Sequence, residues 1–118
     1  MILFVEYPKC TTCQKARAWL EAKQPTFTAR HIKECPPTRA ELEAWWQRSA
    51  LPLKRFFNTS GMLYKQLNLS TKLATLTEAE QLDLLATDGM LLKRPILVTE
   101  LGVFPGFKPE MWEKLLTP

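Results

Sequence analysis

Cys10-Thr11-Thr12-Cys13 sets two thiols about one helical turn apart. The thiolate, not the thiol, is the nucleophile, and nearby positive potential favours it. Cys10 follows a short apolar run, Ile2 to Val5, and a helical pattern begins within a few residues of it. The free N–H groups at a helix start act like roughly half a positive charge, so a thiolate at Cys10 is stabilised there. Lys9 and Lys15 add positive charge close by. Cys13 is then placed to attack a mixed disulfide on Cys10 and release the product. Thiol–disulfide exchange is the chemistry this spacing supports, although a free cysteine is also a common inert core residue.

Two further features bear on that chemistry. Arg94-Pro95 precedes the apolar run Ile96-Leu97-Val98. A proline there can adopt the cis form and bring backbone close to the thiol loop. Arg94 is then either an anion-binding fork near Cys10 or an ordinary surface residue. Cys10, Cys13, His31 and Cys35 also give C-x2-C followed by H-x3-C, a set that could close a structural zinc site. The competing readings are a satisfied edge residue for His31 and, for Cys35, a bystander thiol in a Pro-rich loop that is open to secondary oxidation or glutathionylation.

The elements that must position these groups follow from periodicity. Ile2 to Val5 is a strand. From Thr12, Cys13, Ala16 and Leu20 recur at helical spacing, and Pro25 ends that helix. Thr26 to Ile32 is a second strand. Thr38-Arg39-Ala40-Glu41 is a capping box, opening a helix to about Arg48 that buries Leu42 and Trp45 or Trp46. Leu51 to Ser60 is expected to be irregular, and Gly61 to Leu67 a short helix. Thr77-Glu78-Ala79-Glu80 opens another helix with Leu82, Leu85 and Ala86 as its apolar stripe, ended by Asp88-Gly89. Ile96 to Val98, a turn at Leu101-Gly102, and Val103-Phe104 form a hairpin. Pro109 opens the last helix. The order is β-α-β, a helical block, then β-β-α. This is an α/β, thioredoxin-like, mixed four-stranded sheet with an inserted helical lobe at about 38–90, in a single domain spanning 1–118.

Composition narrows the function classes. The 118 residues carry 16 basic and 12 acidic side chains, a mild +4 with no basic block, so no direct nucleic-acid footprint is expected. No apolar run approaches the roughly 18 residues of a membrane span. The start of the chain lacks a signal-peptide pattern, so a cytoplasmic monomer is expected. Three cysteines, an odd number, fit a reducing compartment better than a disulfide framework.

Tyr7-Pro8-Lys9-Cys10-x-x-Cys13-x-Lys15-Ala16-x-x-Trp19-Leu20, Phe57-Asn58-Thr59-Ser60-Gly61, Asp88-Gly89-Met90-Leu91-x-Lys93-Arg94-Pro95-Ile96 and Gly106-Phe107-Lys108 together resemble the ArsC/Spx superfamily. The likeness covers essentially the whole chain and is nearest to its YusI-like, Spx and MgsR branch. It implies a thioredoxin-like sheet with a helical lobe and a cis Pro95. In the arsenate reductases of this family one nucleophilic cysteine, matching Cys10, works with three arginines. Arg94 matches one; Asn58 stands at the second, and Phe107 and Lys108 near the third. Glu6 takes the place of a histidine upstream of the nucleophile. The Spx-like regulators share Cys10, Cys13 and Arg94 and bind the C-terminal domain of the RNA polymerase α subunit.

The expected catalytic groups are Cys10, Cys13 and Arg94. Lys9, Thr11, Thr12, Asn58, Ser60, Pro95 and Lys108 are the expected substrate-binding positions. Thr59 and Ser60 either offer hydroxyls to the thiols or cap the following short helix. No bound cofactor is expected; glutathione, a glutaredoxin or a thioredoxin would be the reductant. The functional readings are an arsenate reductase-like thiol–disulfide oxidoreductase, a redox-sensing regulator that binds RNA polymerase, and a structural zinc module.

Overall fold

The computed structural model describes residues 1–118. Four short strands form one mixed sheet in the order β2-β1-β3-β4. They are β1 (Leu3–Glu6), β2 (Thr28–His31), β3 (Ile96–Thr99) and β4 (Gly102–Pro105). β2 runs parallel to β1, with Leu3 opposite Thr28 and Glu6 opposite His31. β3 is antiparallel to β1, and β4 returns antiparallel to β3 through the expected hairpin. This is the thioredoxin-like arrangement anticipated from the element order.

Alternation along the strands explains how the sheet is covered on both faces. Phe4, Leu97 and Phe104 point to one side, where they pack with Ala16 and Leu20 of α1 (Thr11–Ala22) and Trp112 of α6 (Pro109–Leu116). Val5, Ile96, Val98 and Val103 point to the other, into a larger cluster built with the helical block. That block contains α2 (Arg39–Ser49), α3 (Met62–Gln66), α4 (Leu69–Lys72) and α5 (Glu78–Leu85). Cluster members Leu42, Trp45, Leu82 and Leu85 show which faces of α2 and α5 turn inward. The apolar stripe of α5 forms as expected: Leu82 and Leu85 are buried, and Ala86 at the C-cap is half-buried against the same cluster.

Both capping boxes form. The Thr38 hydroxyl accepts from the Glu41 N–H while Glu41 accepts from the Thr38 N–H, and Thr77 and Glu80 repeat the exchange on α5. Arg30 of β2 ties α2 to the sheet. Its guanidinium reaches both Glu41 carboxylate oxygens at 2.7 and 2.9 Å and the carbonyls of Cys35 and Pro36.

Three local expectations need correction. Leu51 to Ser60 is not wholly irregular, since Leu53–Phe56 forms a 3-10 turn that buries Leu53 and Phe56. Asp88 does not simply end a helix: its carboxylate accepts from the Met90 N–H and starts a second 3-10 turn, Gly89–Leu91. The residue capping α3 is Gly61, with no side-chain cap bond, so neither Thr59 nor Ser60 caps that helix.

Candidate functional site

The loop between β1 and α1 is closed by its own backbone. The Cys10 N–H donates to the Tyr7 carbonyl at 2.9 Å, and the Gln14 side chain donates to the Pro8 carbonyl at 2.9 Å. Cys10 is the N-cap of α1 in an extended conformation, and no acidic residue occupies the first turn. The open amides of that turn therefore face the thiol instead of a carboxylate. Cys10 is half-buried, whereas Cys13 is fully buried one turn along. The Tyr7 N–H points at Cys13 Sγ, 3.5 Å away.

The two thiols have opposite acidities. Partial burial opposes the Cys10 thiolate, but the Cys13 N–H, the Cys13 thiol, the Arg94 guanidinium and the Thr12 N–H outweigh it, and the Cys10 pKa is lowered. Burial dominates at Cys13; the Tyr7 N–H opposes it and the Cys10 charge adds to it, so this thiol is pushed up to about 12. A split of this kind suits a half-buried attacking thiol and a shielded second thiol.

Arg94 sits beside this pair. The Arg94-Pro95 bond is cis, as the resemblance implies. The guanidinium carbon lies 5.0 Å from the Tyr7 ring centroid, close enough for a cation–π contact. Its Nη1 is buried with no hydrogen-bond partner. A buried guanidinium donor left open is uncommon and calls for an anionic or acceptor ligand at that point.

Arg94 and Asn58 line one recess of about 470 Å³, with Lys33, Met62 and Met90 around it. Thr12 and Lys108 line a second, of about 210 Å³. The structure thus brings Arg94 together with Asn58, and Thr12 with Lys108. Lys9, Thr11 and Ser60 are exposed and line neither, and Pro95 is buried, its carbonyl accepting from the Gly106 N–H at 2.7 Å. Lys9 and Lys15 are exposed and are not among the groups that lower the Cys10 pKa; the amides of the first turn and Arg94 take the role expected of them.

The zinc arrangement does not form, because no three His, Cys, Asp or Glu side chains gather where a metal ion could be held. His31 is a satisfied edge residue: Nδ1 accepts from the Lys33 and Glu34 N–H groups at 3.2 Å each, and its ring packs edge-on to Tyr7. Cys35 is exposed in the loop after β2. Glu6, at the position of the family's upstream histidine, is buried and ion-paired to Arg17.

Sequence reasoning missed Tyr7 as a site residue, because it acts through a backbone N–H and a ring face that no spacing reveals. It also missed Lys33, which lines the recess of Arg94 and Asn58, and Arg55 and Lys93, which line the recess of Thr12 and Lys108. Lys93 did stand in a matched motif beside Arg94, but nothing in the motif said which way it faces.

The sequence profile described as the ArsC family matches residues 5–115. This chain belongs to the ArsC family. The ArsC-family chain is 50% identical to the uncharacterized protein YusI of Bacillus subtilis over 113 residues, covering 96% of each. It is 35% identical to the regulatory protein MgsR of the same organism, covering 92% of this chain and 84% of MgsR. Among solved structures, one of an ArsC family related protein from Bacteroides fragilis superposes with a TM-score of 0.94 at 57% identity, covering 97% and 96% of the two chains. A possible arsenate reductase from Streptococcus mutans superposes at 0.87 with 43% identity, covering 96% and 98%.

Proposed function

We propose that this ArsC-family protein is a thiol–disulfide oxidoreductase in which Cys10 attacks and Cys13 resolves. The observation that carries the reading is the pairing of a half-buried thiol of lowered pKa at a helix N-cap with a fully buried thiol of raised pKa one turn behind it. The Cys10 thiolate attacks one sulfur of a disulfide RSSR, the Cys10–SR bond forms, and RS⁻ leaves to take a proton from solvent. Cys13 then gives up its proton and attacks Cys10, a Cys10–Cys13 disulfide forms, and the second RS⁻ leaves. The protein is oxidised by two electrons and RSSR is reduced to two RSH. Glutathione, a glutaredoxin or a thioredoxin would return the pair to dithiol. The role of Arg94 is to hold the Cys10 thiolate and an anionic group of the substrate.

The test is a pair of variants. Cys10→Ser abolishes disulfide reduction, and Cys13→Ser still reacts but stalls as a mixed disulfide visible by mass spectrometry. Full activity in Cys10→Ser sinks the reading.

Arsenate reduction is the narrower form of this proposal. One guanidinium, Arg94, is present for the oxyanion, and the neutral Asn58 lines the same recess. A single fork holds a tetrahedral anion less firmly than several do.

A redox-sensing regulator is the second reading. Its support is the 35% identity to MgsR and the 29% identity to the global transcriptional regulator Spx of Streptococcus pneumoniae. In this form, oxidation of the pair changes a surface that RNA polymerase α reads. A pull-down with the α C-terminal domain under oxidising and reducing conditions decides it; absence of binding in both states removes it.

A further inference from the structure

The recess that Arg94 shares with Asn58 is larger than a simple oxyanion needs. Its volume of about 470 Å³ falls in the range of about 300–1,000 Å³ typical of sites that hold organic ligands. Three apolar side chains line it: Met62 and Leu63 of α3, and Met90 of the second 3-10 turn. α3 is anchored by Tyr64, which is buried and packs edge-on to Phe57. Met62 and Gln66 are four residues apart on α3, so they share its opposite face, and both line the recess. Met62 is 75% exposed, a large apolar side chain left in water beside a cavity.

Most polar groups around the recess are engaged or in water. The Asp88 carboxylate accepts from the Met90 N–H at 2.9 Å. Gly61 leaves room for the Asn58 amide to lie against the start of α3, since a side chain there would fall 2.8 Å from Asn58 Nδ2. Lys33 is exposed to solvent. The exception is Arg94, whose Nη1 is buried and open. The same guanidinium hydrogen-bonds Cys10, so it links the recess to the attacking thiol. A guanidinium carries five N–H donors, enough for both tasks. In an extended peptide the next residue is about 3.3 Å along the chain. A side chain one or two residues from a cysteine at Cys10 therefore reaches the recess. Methionine is flexible and polarizable, so walls of methionine accept apolar side chains of different shape.

We infer that the Met62–Leu63–Met90 recess seats a large apolar side chain next to the cysteine of a peptide, so that the disulfides reduced here are carried on protein chains. Arg94 Nη1 donates to a main-chain carbonyl of that peptide. This rests on the exchange chemistry proposed above and names its substrate class. With a peptide–S–S–R disulfide, the Cys10 thiolate attacks the peptide sulfur. The Cys10–S–peptide bond forms, and RS⁻ leaves to take a proton from solvent. Cys13 gives up its proton and attacks Cys10, and the peptide thiolate leaves and is protonated. The pair is oxidised by two electrons, and the substrate is reduced to peptide–SH and RSH.

The experiment uses two blocked, neutral pentapeptides with one cysteine each, capped as the mixed disulfide with 2-mercaptoethanol. Leucines flank the cysteine in one, and serines flank it in the other. Rates of loss of the Cys10 thiol are divided by those of the same peptides with free cysteine. The leucine peptide is expected to react about tenfold faster than the serine peptide. Met62→Gln brings that ratio to about threefold or less, and Met62→Leu keeps it. Equal rates for the two peptides, or a ratio that Met62→Gln leaves intact, overturn the inference. In Cys13→Ser the adduct trapped on Cys10 is expected to carry the peptide; an adduct of 2-mercaptoethanol alone overturns it. A second arm needs no exchange. The leucine peptide, its cysteine S-methylated, is titrated into protein labelled at the methyl groups of its four methionines. Saturable shifts at Met62 and Met90, without shifts at Met1 and Met111, support the recess. Absence of shifts at Met62 and Met90, or equal shifts at all four, overturns it. Failure of bis(2-hydroxyethyl) disulfide to react at Cys10 strikes the oxidoreductase reading instead, and the methionine arm still judges the recess.

Discussion

Cys10 and Cys13 are chemically alike and made unlike by where each stands. Cys10 caps a helix, so first-turn amides and Arg94 favour its thiolate. Cys13 is one turn deeper, where burial favours the neutral thiol. An external reagent therefore meets Cys10 first. Arg94 contributes by charge and by an open Nη1 donor. Arg94→Gln removes that charge and is expected to raise the pH midpoint of Cys10 alkylation, followed with a neutral reagent so that the reagent's own charge plays no part. An unchanged midpoint would show that the helix amides act alone. Cys10, Cys13 and Arg94 were readable from the sequence because their side-chain types carry the chemistry. Tyr7 was not readable, since a backbone N–H and a ring face acting on neighbours leave no signature in residue type.

At the scale of elements, the helix starts were the clearest signals, because a capping box is a local exchange of hydrogen bonds written in four residues. The Thr38 box gains a partner that no local pattern contains, Arg30 from β2. The Arg30 guanidinium holds the Glu41 carboxyl well below its usual range, at about 2, against partial burial, with the Thr38 N–H helping. Its folded pKa lies below the unfolded value of about 4.3, so the stabilisation is present above that pH and is lost as pH falls toward 2. Glu41→Gln is expected to lower the melting temperature at pH 7 and to converge on wild type in acid. The carboxyl is partly exposed, which keeps the effect to about 1 kcal/mol or less. A difference that stays constant from pH 7 to pH 2 would assign the loss to packing. The short 3-10 turns at Leu53–Phe56 and Gly89–Leu91 escaped sequence reading because three or four residues are too few to show a period.

Across the whole molecule, the site lies where the sheet, α1 and the helical block meet. Cys10 comes from the β1–α1 loop, Arg94 from the approach to β3, and Asn58 from the segment before α3. Their assembly depends on how closely the block sits on the sheet. Gly89 marks one such contact: a side chain there would fall 1.9 Å from the Ile32 carbonyl oxygen, just past β2. That atom is backbone and cannot rotate away. Gly89→Ala is expected to destabilise the fold by about 3 kcal/mol or more, seen as a lower urea midpoint. A wild-type midpoint would mean that the block shifts freely on the sheet. Element order and strand alternation were enough to anticipate the sheet with its inserted lobe. Which lobe residues approach Arg94 was not readable, because contacts between segments thirty or more residues apart leave no local periodicity.

In the oxidoreductase reading one thiol of the pair is poised and the other is held in reserve. The most direct measurement is alkylation of the reduced protein by iodoacetamide across pH, with each cysteine followed separately by peptide mass spectrometry. Cys10 is expected to react with a midpoint below the free-thiol value of about 8.5, while Cys13 stays unmodified through that range. Cys13 reacting first, or a Cys10 midpoint at or above the free-thiol value, would rule out Cys10 as the poised thiol.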